Sequence, residues 1–252
     1  MKKYLSIIIP CYNEEENLER GVLNEVYGFL KDQKYSWEVI ISDDGSSDNS
    51  LEIASDFVGR HRNFKILKNE HGGKPSAIWN GIKVAKGRHI LFVDMDQSTP
   101  IGELKKILPW FNKKYDVVIG SRGLERRGFP LKRRLMSKIF RFLRGLILLP
   151  DINDTQCGFK AFKTRVAREI FPKLQFFQET NKKVRGWRVS AFDVELLFIA
   201  QKQGYKIKEV TVDWGDKDIS QKKEKKFLKE SIEMAKEILR VKINDLLGKY
   251  EQ

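Results

Sequence analysis

The chain has 252 residues, of which 41% are hydrophobic and 33% charged, and its formal net charge at pH 7 is +14. This length and composition allow a full buried core and exclude extensive disorder. No apolar run approaches the ~20 residues needed to cross a bilayer. The positive charge predicts attraction to polyanions, such as nucleic acid, anionic lipid or phosphorylated substrates, without choosing among them.

The N-terminal residues and the two cysteines indicate the cellular compartment. The first four residues lead straight into a strand-like run, so we expect no cleavable signal peptide. Cys11 and Cys157 lie far apart and lack metal-ligand spacing, which favours reduced thiols in a cytoplasmic protein.

Apolar runs alternate with helix-like segments along the chain. Strands are predicted at 5–9, 37–42, 64–67, 89–93, 116–121 and 206–212. Helices are predicted at 14–31, with Asn13 as the N-cap, and at 48–60, 72–86 and 103–113. This alternation predicts an α/β fold of three layers with a mainly parallel sheet.

Polar side chains follow the predicted strands. The crossover rule for parallel strands places them along one edge of the sheet, where ligand crevices usually lie. They are Asn13, Asp43, Asp44, Asp94, Asp96 and Arg122. No Gly-x-Gly-x-x-Gly motif and no Walker loop is present, which disfavours a dinucleotide site or a P-loop.

The most informative of these positions is the pair Asp94 and Asp96, which ends a buried strand. Two carboxylates cannot stay charged and unpaired in a dry interior, so we expect them to emerge into a cleft. Hard oxygen ligands there suit Mg²⁺ or Mn²⁺. The competing interpretation of an isolated Asp-x-Asp is an acidic turn after a strand.

Residues 122–150 form a basic amphipathic segment, with nine Lys or Arg between 122 and 149 against one acid, Glu125. Apolar residues at helical spacing from 135 to 149 predict a helix lying in the headgroup region of a membrane. A core-facing helix with a solvated basic side is the alternative. Residues 151–160 are predicted to be a loop crossing a site.

Two further helices are predicted in the second half of the chain. One begins near 191 and carries Asp193 and Glu195 in its first turn, where helix-dipole stabilisation is the simplest role. The other is an amphipathic tail helix at 222–252, which is also a candidate surface for a homodimer. Its predicted apolar side consists of Phe227, Leu228, Ile232, Ala235, Ile238, Leu239 and Leu246. We predict one catalytic domain, 1–216, followed by the C-terminal helix in 217–252.

Together these motifs resemble the family 2 glycosyltransferases of the GT-A fold. The resemblance is carried by 10–14 (PCYNE), 43–48 (DDGSSD), Gly73-Lys74 with Ala77, 94–96 (DMD) and 120–122 (GSR), in that order. Within the family, 154–160 and 192–197 resemble the polyprenyl-phosphate hexose synthases, which include dolichyl-phosphate glucose and mannose synthases. Residues 157–160 and 212–214 favour the glucose branch, whereas the QSTP run at 97–100 departs from it and leaves the donor sugar open.

The resemblance and the residue chemistry assign roles along the predicted cleft. The residues assigned to the nucleotide-sugar are Pro10, Tyr12, Glu14, Asp43, Asp44, Lys74, Asp94, Met95 and Asp96. Asp94 and Asp96 would hold Mg²⁺ or Mn²⁺, with Gln97 as a further candidate ligand. Arg122, Arg133 and Arg134 would grip the acceptor phosphate, because guanidinium groups bind phosphate bidentately. Relatives with hydroxyl acceptors use a carboxylate as base in this region, which leaves Asp154 and Asp193 as candidates; for Lys74 a solvated helix-terminus lysine is the alternative.

The resemblance implies an inverting enzyme that transfers a hexose from a nucleotide-sugar to a polyprenyl phosphate. UDP-glucose is the favoured donor, and GDP-mannose is the alternative. The enzyme would be cytoplasmic and peripheral on the cytoplasmic face of a membrane. A soluble family 2 enzyme acting on a saccharide or protein stays open. A nucleic-acid-binding module is disfavoured because no stacking platform or known motif is present, and a nucleotidyltransferase because the N-terminal phosphate loop is missing.

Overall fold

A computed structural model describes residues 3–123, 145, 147–178, 192–217 and 227–251, the first eight residues of the last range as backbone alone. Its strands are β1 Lys3–Cys11, β2 Trp37–Asp43, β3 Phe64–Lys68, β4 Gly87–Phe92, β5 Val117–Ser121, β6 Lys160–Lys163 and β7 Ile207–Thr211. Its helices are α1 Glu15–Glu19, α2 Val22–Leu30, α3 Ser50–Arg60, α4 Lys74–Val84, α5 Leu104–Ile107, α6 Pro109–Asn112, α7 Thr164–Ile170, α8 Gln175–Gln178, α9 Phe192–Lys202 and α10 Phe227–Leu246. Short 3₁₀ turns occupy Ile101–Glu103 and Phe171–Lys173.

The strands form one sheet of seven in the order β3-β2-β1-β4-β6-β5-β7. All neighbouring pairs are parallel except those made by β6, which is antiparallel to β4 and β5. The predicted α/β fold with a mainly parallel sheet and the six predicted strands are therefore confirmed.

Alternating side chains of the central strands bury two separate apolar layers. In β1, Ile7 and Ile9 contribute to the layer that includes Val22, Val26 and the 3₁₀ turn at 101. Ile8 points to the opposite layer, which α4, α7, α9 and α10 cover. Because both faces of the sheet are covered at its centre, β1, β2, β4 and β5 are mostly apolar and almost entirely buried, as expected for strands covered on both faces.

The predicted helix at 14–31 is wrong as a single element, because it divides into α1 and α2. Gly21 lies between them with φ = 87°, a left-handed conformation that glycine adopts without steric cost. Asn13 does not cap α1: it has φ = 53°, and its Oδ1 accepts hydrogen bonds from Ser47 N at 2.8 Å and Ser47 Oγ at 3.3 Å. Its side chain therefore joins the loops after β1 and β2.

Strand β6 was missed, since residues 151–160 were predicted as a polar loop and nothing was assigned beyond them. The strand has only four residues, with a lysine at each end, so it carries little apolar pattern. The loop prediction is wrong at Lys160, which begins β6 and is fully buried. The predicted helix at 103–113 is likewise divided, and Pro109 occupies the first turn of α6.

The tail helix is confirmed over Phe227–Leu246, but its predicted apolar side is only partly correct. Ile238 is buried as expected, and Val241 and Tyr250 are buried beside it. Leu239 and Leu246 are instead exposed. The prediction for 135–149 falls mostly outside the described residues, as do Arg133 and Arg134. The division of the chain at 216 and 217 stays a prediction.

Candidate active site

The polar residues that follow β1, β2 and β4 lie at the same edge of the sheet, because these three strands are parallel neighbours. Cys11 pairs with Asp43 at the ends of β1 and β2. Beyond them the two loops are tied together: Glu14 N donates to Ser50 Oγ at 2.7 Å, and Asp44 N donates to the carbonyl of Cys11 at 2.8 Å. The predicted edge is therefore a single connected site.

Asp43 and Asp44 are both buried, and hydrogen bonds within the chain engage their carboxylates. Asp43 accepts from Ser46 Oγ at 2.5 Å and from Gly45 N at 3.1 Å, which shapes the turn after β2. Asp44 accepts from Gly72 N and Gly73 N at 3.0 and 2.7 Å, and burial raises its pKa. The predicted contact of these carboxylates with base and ribose stays a prediction; in the structure they position the loops.

His71 is a site residue that the sequence analysis missed. Its Nδ1 lies 2.9 Å from Asp44 Oδ2, and its ring stacks on Tyr12 with centroids 4.6 Å apart. Tyr12 itself was predicted to line the nucleotide pocket. The sequence offers one signal for His71: it directly precedes Gly72 and Gly73. A glycine pair at the start of a helix indicates that a ligand approaches the backbone closely, so the preceding side chain is a candidate site residue.

Lys74 begins α4 and makes the central ion pair of the site. Its Nζ lies 2.5 Å from Asp94 Oδ1, and only 10% of the Lys74 side chain is exposed. The alternative of a solvated helix-terminus lysine is therefore wrong. Burial alone would lower the pKa of Lys74, but the charges of Asp94, Asp193 and Asp96 outweigh it and raise that pKa, so the ammonium stays charged.

The residues after Asp94 form a tight turn that holds Asp96. Asp96 Oδ1 accepts from Ser98 N at 2.8 Å, and Gln97 adopts φ = 51°. The carbonyl of Asp96 accepts from Arg20 Nη2 at 2.5 Å. Arg20 also donates to the carbonyl of Lys217 at 2.8 Å, so it links this turn to the segment after β7. Nothing in the sequence pattern had indicated Arg20.

Gly158 brings the loop before β6 directly against Asp94. A Cβ placed on Gly158 would lie 1.9 Å from Asp94 Oδ2 and 2.5 Å from its carboxyl carbon, so no larger residue fits without moving one of them. The loop at 151–160 thus crosses the site as predicted, and it does so at the Asp-x-Asp pair.

The remaining predicted carboxylates are held by cations. Asp154 is buried, and Arg122 binds it through two contacts of 2.7 Å, from Nε to Oδ2 and from Nη2 to Oδ1. Asp193 lies 2.6 Å from the Nζ of the fully buried Lys160. Burial alone would lower the pKa of Arg122, but Asp154 outweighs it and raises that pKa. The guanidinium also lies 5.7 Å from the ring centroid of Trp214.

Glu195 has a different role from the predicted helix-dipole stabilisation. It is fully buried and accepts hydrogen bonds from Tyr250 OH at 2.7 Å and from Gln175 N at 3.0 Å. Arg240 Nη2 lies 3.2 Å from its second oxygen. Glu195 therefore anchors the tail helix α10 to the start of α9.

The residues predicted to hold a divalent cation suit a site built from two carboxylates. Asp94 keeps 38% of its side chain exposed, and Gln97 Oε1 is buried with no hydrogen-bond donor in the described part of the chain. The described part of the chain contains no cluster of three or more His, Cys, Asp or Glu arranged to bind a metal. Mg²⁺ and Mn²⁺ usually take one or two carboxylates together with substrate phosphates, so the donor set fits such an ion.

A mainly parallel sheet, a partly exposed Asp-x-Asp pair after its central strand and a buried lysine beside that pair are features of glycosyltransferases of the GT-A class. The comparisons with known proteins agree. The profile of Glycosyl transferase family 2 matches residues 6–171. The chain belongs to glycosyltransferase family 2.

Two relatives illustrate the similarity within the family. The dolichyl-phosphate beta-glucosyltransferase of Dictyostelium discoideum is 36% identical, over 97% of this chain and 76% of the relative. The human dolichyl-phosphate beta-glucosyltransferase is 34% identical, over 84% of this chain and 67% of the relative.

The fold is shared with solved structures of much lower identity. The glucosyl-3-phosphoglycerate synthase of Mycobacterium tuberculosis, solved with Mn²⁺, uridine diphosphate and glucosyl-3-phosphoglycerate, superposes with a TM-score of 0.62 at 16% identity. The match covers 99% of this chain and 80% of that one.

Two other expectations can be compared with the structure. Cys11 and Cys157 are free thiols, as predicted, and the structure buries both of them. None of the helices in the described ranges combines the length and the apolar character needed to cross a membrane.

Replacing Gly158 by Ala tests the contact with Asp94. The added Cβ must displace the carboxylate or the loop, and misplacing a reacting group by about 1 Å can cost roughly 100-fold in rate. We therefore expect sugar transfer by the Gly158→Ala variant to fall by about 100-fold, as measured by steady-state kinetics.

The matched control is Gly59→Ala, because a Cβ on Gly59 in α3 has no neighbour within 4 Å. Equal rates for the Gly158→Ala variant and this control would contradict the assignment of Asp94 to the catalytic site.

Proposed function

We propose that the protein transfers glucose from a nucleotide-sugar to a dolichyl-type polyprenyl phosphate. The names of the relatives at 36% and 34% identity support this acceptor and this sugar. They also support a β-linked product, which single displacement with inversion would give from an α-linked donor. UDP-glucose is the favoured donor, and GDP-mannose is the alternative that the QSTP run at 97–100 keeps open.

The observation that carries the proposal is the pairing of both candidate base residues with cations. Arg122 engages both carboxylate oxygens of Asp154, and Lys160 pairs with Asp193. A carboxylate that already shares its charge with a buried cation is a weak proton acceptor. An alcohol acceptor needs a general base, whereas a phosphate is already an oxyanion near neutral pH, since its second pKa is about 6. The arrangement therefore favours a phosphate acceptor.

The donor is proposed to bind across the loops that follow β1, β2 and β4. Tyr12, with Pro10 and Glu14, lines the nucleoside side, and His71 supports the Tyr12 ring. Lys74 and Met95 lie on the diphosphate side. Asp94 and Asp96, with Gln97 as the further candidate, would hold Mg²⁺ or Mn²⁺, which supplies a Lewis acid for the leaving diphosphate.

The acceptor is proposed to approach the sugar from the side of Arg122. An acceptor phosphate oxygen forms the new bond to the anomeric carbon, while the bond from that carbon to the diphosphate oxygen breaks. No proton has to move, because the attacking oxygen is ionised and the leaving group departs as an anion. Arg122 would position the acceptor phosphate, and Arg133 and Arg134 keep the same predicted role outside the described residues.

We also propose that the enzyme works at the cytoplasmic face of a membrane as a peripheral protein. A polyprenyl phosphate keeps its chain in the bilayer, so the enzyme must meet the headgroup at the surface. The net charge of +14 favours an anionic leaflet. A homodimer through the tail helix has no support in the comparisons and is not part of the proposal.

A panel of donors tests the function directly. The purified protein is incubated with radiolabelled UDP-glucose, GDP-mannose, UDP-galactose or UDP-N-acetylglucosamine, with dolichyl phosphate in detergent and with Mn²⁺ or Mg²⁺. We expect label from UDP-glucose to enter the butanol-extractable lipid, and an Asp94→Asn, Asp96→Asn double variant to be inactive. Label found only in water-soluble product would favour the soluble alternative and contradict the proposal.

The pairing of Asp193 with Lys160 gives a second prediction. Asp193→Asn alone would leave the ammonium of Lys160 buried without its partner, which costs about 3–5 kcal/mol of stability. We therefore combine Asp193→Asn with Lys160→Met, which removes both charges. The double variant should retain transfer within about tenfold of the parent, because neither group abstracts a proton.

The rate is measured at saturating donor and acceptor, and a thermal melt confirms that the double variant is folded. Loss of a general base typically costs 10²–10⁴-fold. A loss in that range in a folded double variant would assign the base role to Asp193 and refute the argument for a pre-ionised acceptor.

A further inference from the structure

The outward face of the tail helix α10 carries an apolar stripe. Leu239, Ile243, Leu246 and Leu247 are between 54% and 75% exposed. The first three are spaced four and three residues apart, so they lie on one side of the helix, opposite the buried Val241. We call these four residues the outer stripe. Only one other large hydrophobic side chain among the described residues with assigned burial, Val84 on α4, is comparably exposed, so the stripe is a local concentration.

Acidic and basic side chains around the outer stripe differ in their exposure. The acids of α10 in this region turn toward the protein: Glu237 pairs with Arg240, and Asp245 pairs with Lys202 and Lys242, leaving the two carboxyl side chains 15% and 16% exposed. The lysines beside the stripe remain accessible: Lys236 and Lys249 are exposed, and Lys242 is 40% exposed at its side chain. Among residues 235–251, for which burial is assigned, the exposed acid is Glu251, beyond the end of the helix. An apolar stripe flanked by lysines matches an anionic lipid surface.

The pairing of α10 with α9 shows how the outer stripe is oriented relative to the candidate active site. Arg240 contacts Glu195 at the start of α9, and Asp245 contacts Lys202 at its end. The two helices therefore run in the same direction. The start of α9 also carries Asp193, which pairs with Lys160 within the site. The Leu239 end of the outer stripe, next to Arg240, therefore lies toward the sheet edge where the acceptor would enter.

We infer that the outer stripe docks on the surface of an anionic bilayer and so holds the site next to lipid-borne acceptor. This inference rests on the proposed function for its purpose, but the docking itself can be measured without catalysis. Four aliphatic side chains and three lysines provide both the apolar and the electrostatic contribution that stable interfacial binding requires. The stripe therefore contacts a lipid surface, and a second copy of the chain is the competing partner.

The experiment measures co-sedimentation of the full chain with phosphatidylcholine vesicles that contain about 30% phosphatidylserine. The test variant combines Leu239→Ser, Ile243→Ser and Leu246→Ser. The matched control is Val84→Ser, which also removes an exposed aliphatic side chain but lies on α4. Because all four positions are exposed, thermal melts of both variants should match the parent. We expect the parent and the control to sediment, and the triple variant to bind about tenfold more weakly.

Two results would overturn the inference. The first is equal sedimentation of the triple variant and the parent. The second is a parent dimer, seen by analytical ultracentrifugation, that the triple substitution dissociates, because the stripe would then be covered by a second copy.

Transfer to dolichyl phosphate dispersed in detergent separates this inference from the proposed function. The triple variant should be as active as the parent there, since no bilayer is needed. A parent that transfers glucose in detergent but does not sediment refutes the docking alone. A parent that sediments by way of the stripe but transfers no glucose refutes the proposed function alone.

Discussion

The ion pair between the Lys74 ammonium and the Asp94 carboxylate is the interaction on which the rest of the site depends. Lys74 is nearly buried, and a buried ammonium without a counter-ion would be strongly destabilising. The pair fixes the N-terminus of α4 to the turn that follows β4. Asp44 secures the same junction from the other side, because its carboxylate accepts from Gly72 and Gly73 just before Lys74. Gly158 then closes over Asp94. The start of α4 and the loop before β6 thus both meet the Asp94 carboxylate, and Asp44 holds the segment that leads into α4.

Elsewhere in the cleft, carboxylates are likewise paired with cations. Arg122 holds Asp154, and Lys160 holds Asp193. This matching keeps the site rigid and charged without relying on solvent. It also removes the two most obvious proton acceptors, which is why the architecture suits an acceptor that arrives already ionised. Chemistry and stability are therefore served by the same ion pairs.

The sequence allowed the sheet, its six longer strands and the edge bearing the aspartates to be predicted, because apolar runs ending in acids report buried strands directly. It could not reveal β6, whose four residues lack a pattern, nor the break at Gly21, which depends on a left-handed backbone. Arg20 and His71 were missed because their roles come from contacts distant in sequence, to Asp96 and to Tyr12. The burial of Lys74 was equally invisible, since its partner Asp94 lies 20 residues away in the sequence. The exposure of Leu239 and Leu246 depends on which side of α10 meets α9, and periodicity alone does not specify that side.

Calorimetric binding of Mn²⁺, alone and together with UDP, to the parent and to a Lys74→Met variant decides whether the Lys74–Asp94 pair organises the site, with Lys74→Arg as the charge-retaining control. Removing the ammonium frees Asp94, so Mn²⁺ alone should bind about tenfold more tightly. The diphosphate loses a cation at the same time, so UDP in the presence of Mn²⁺ should bind about tenfold more weakly. Opposite changes of this kind are what the account predicts for the folded variant. Unchanged affinities, or a change of the same sign for both ligands, would show that Lys74 does not stand between Asp94 and the nucleotide.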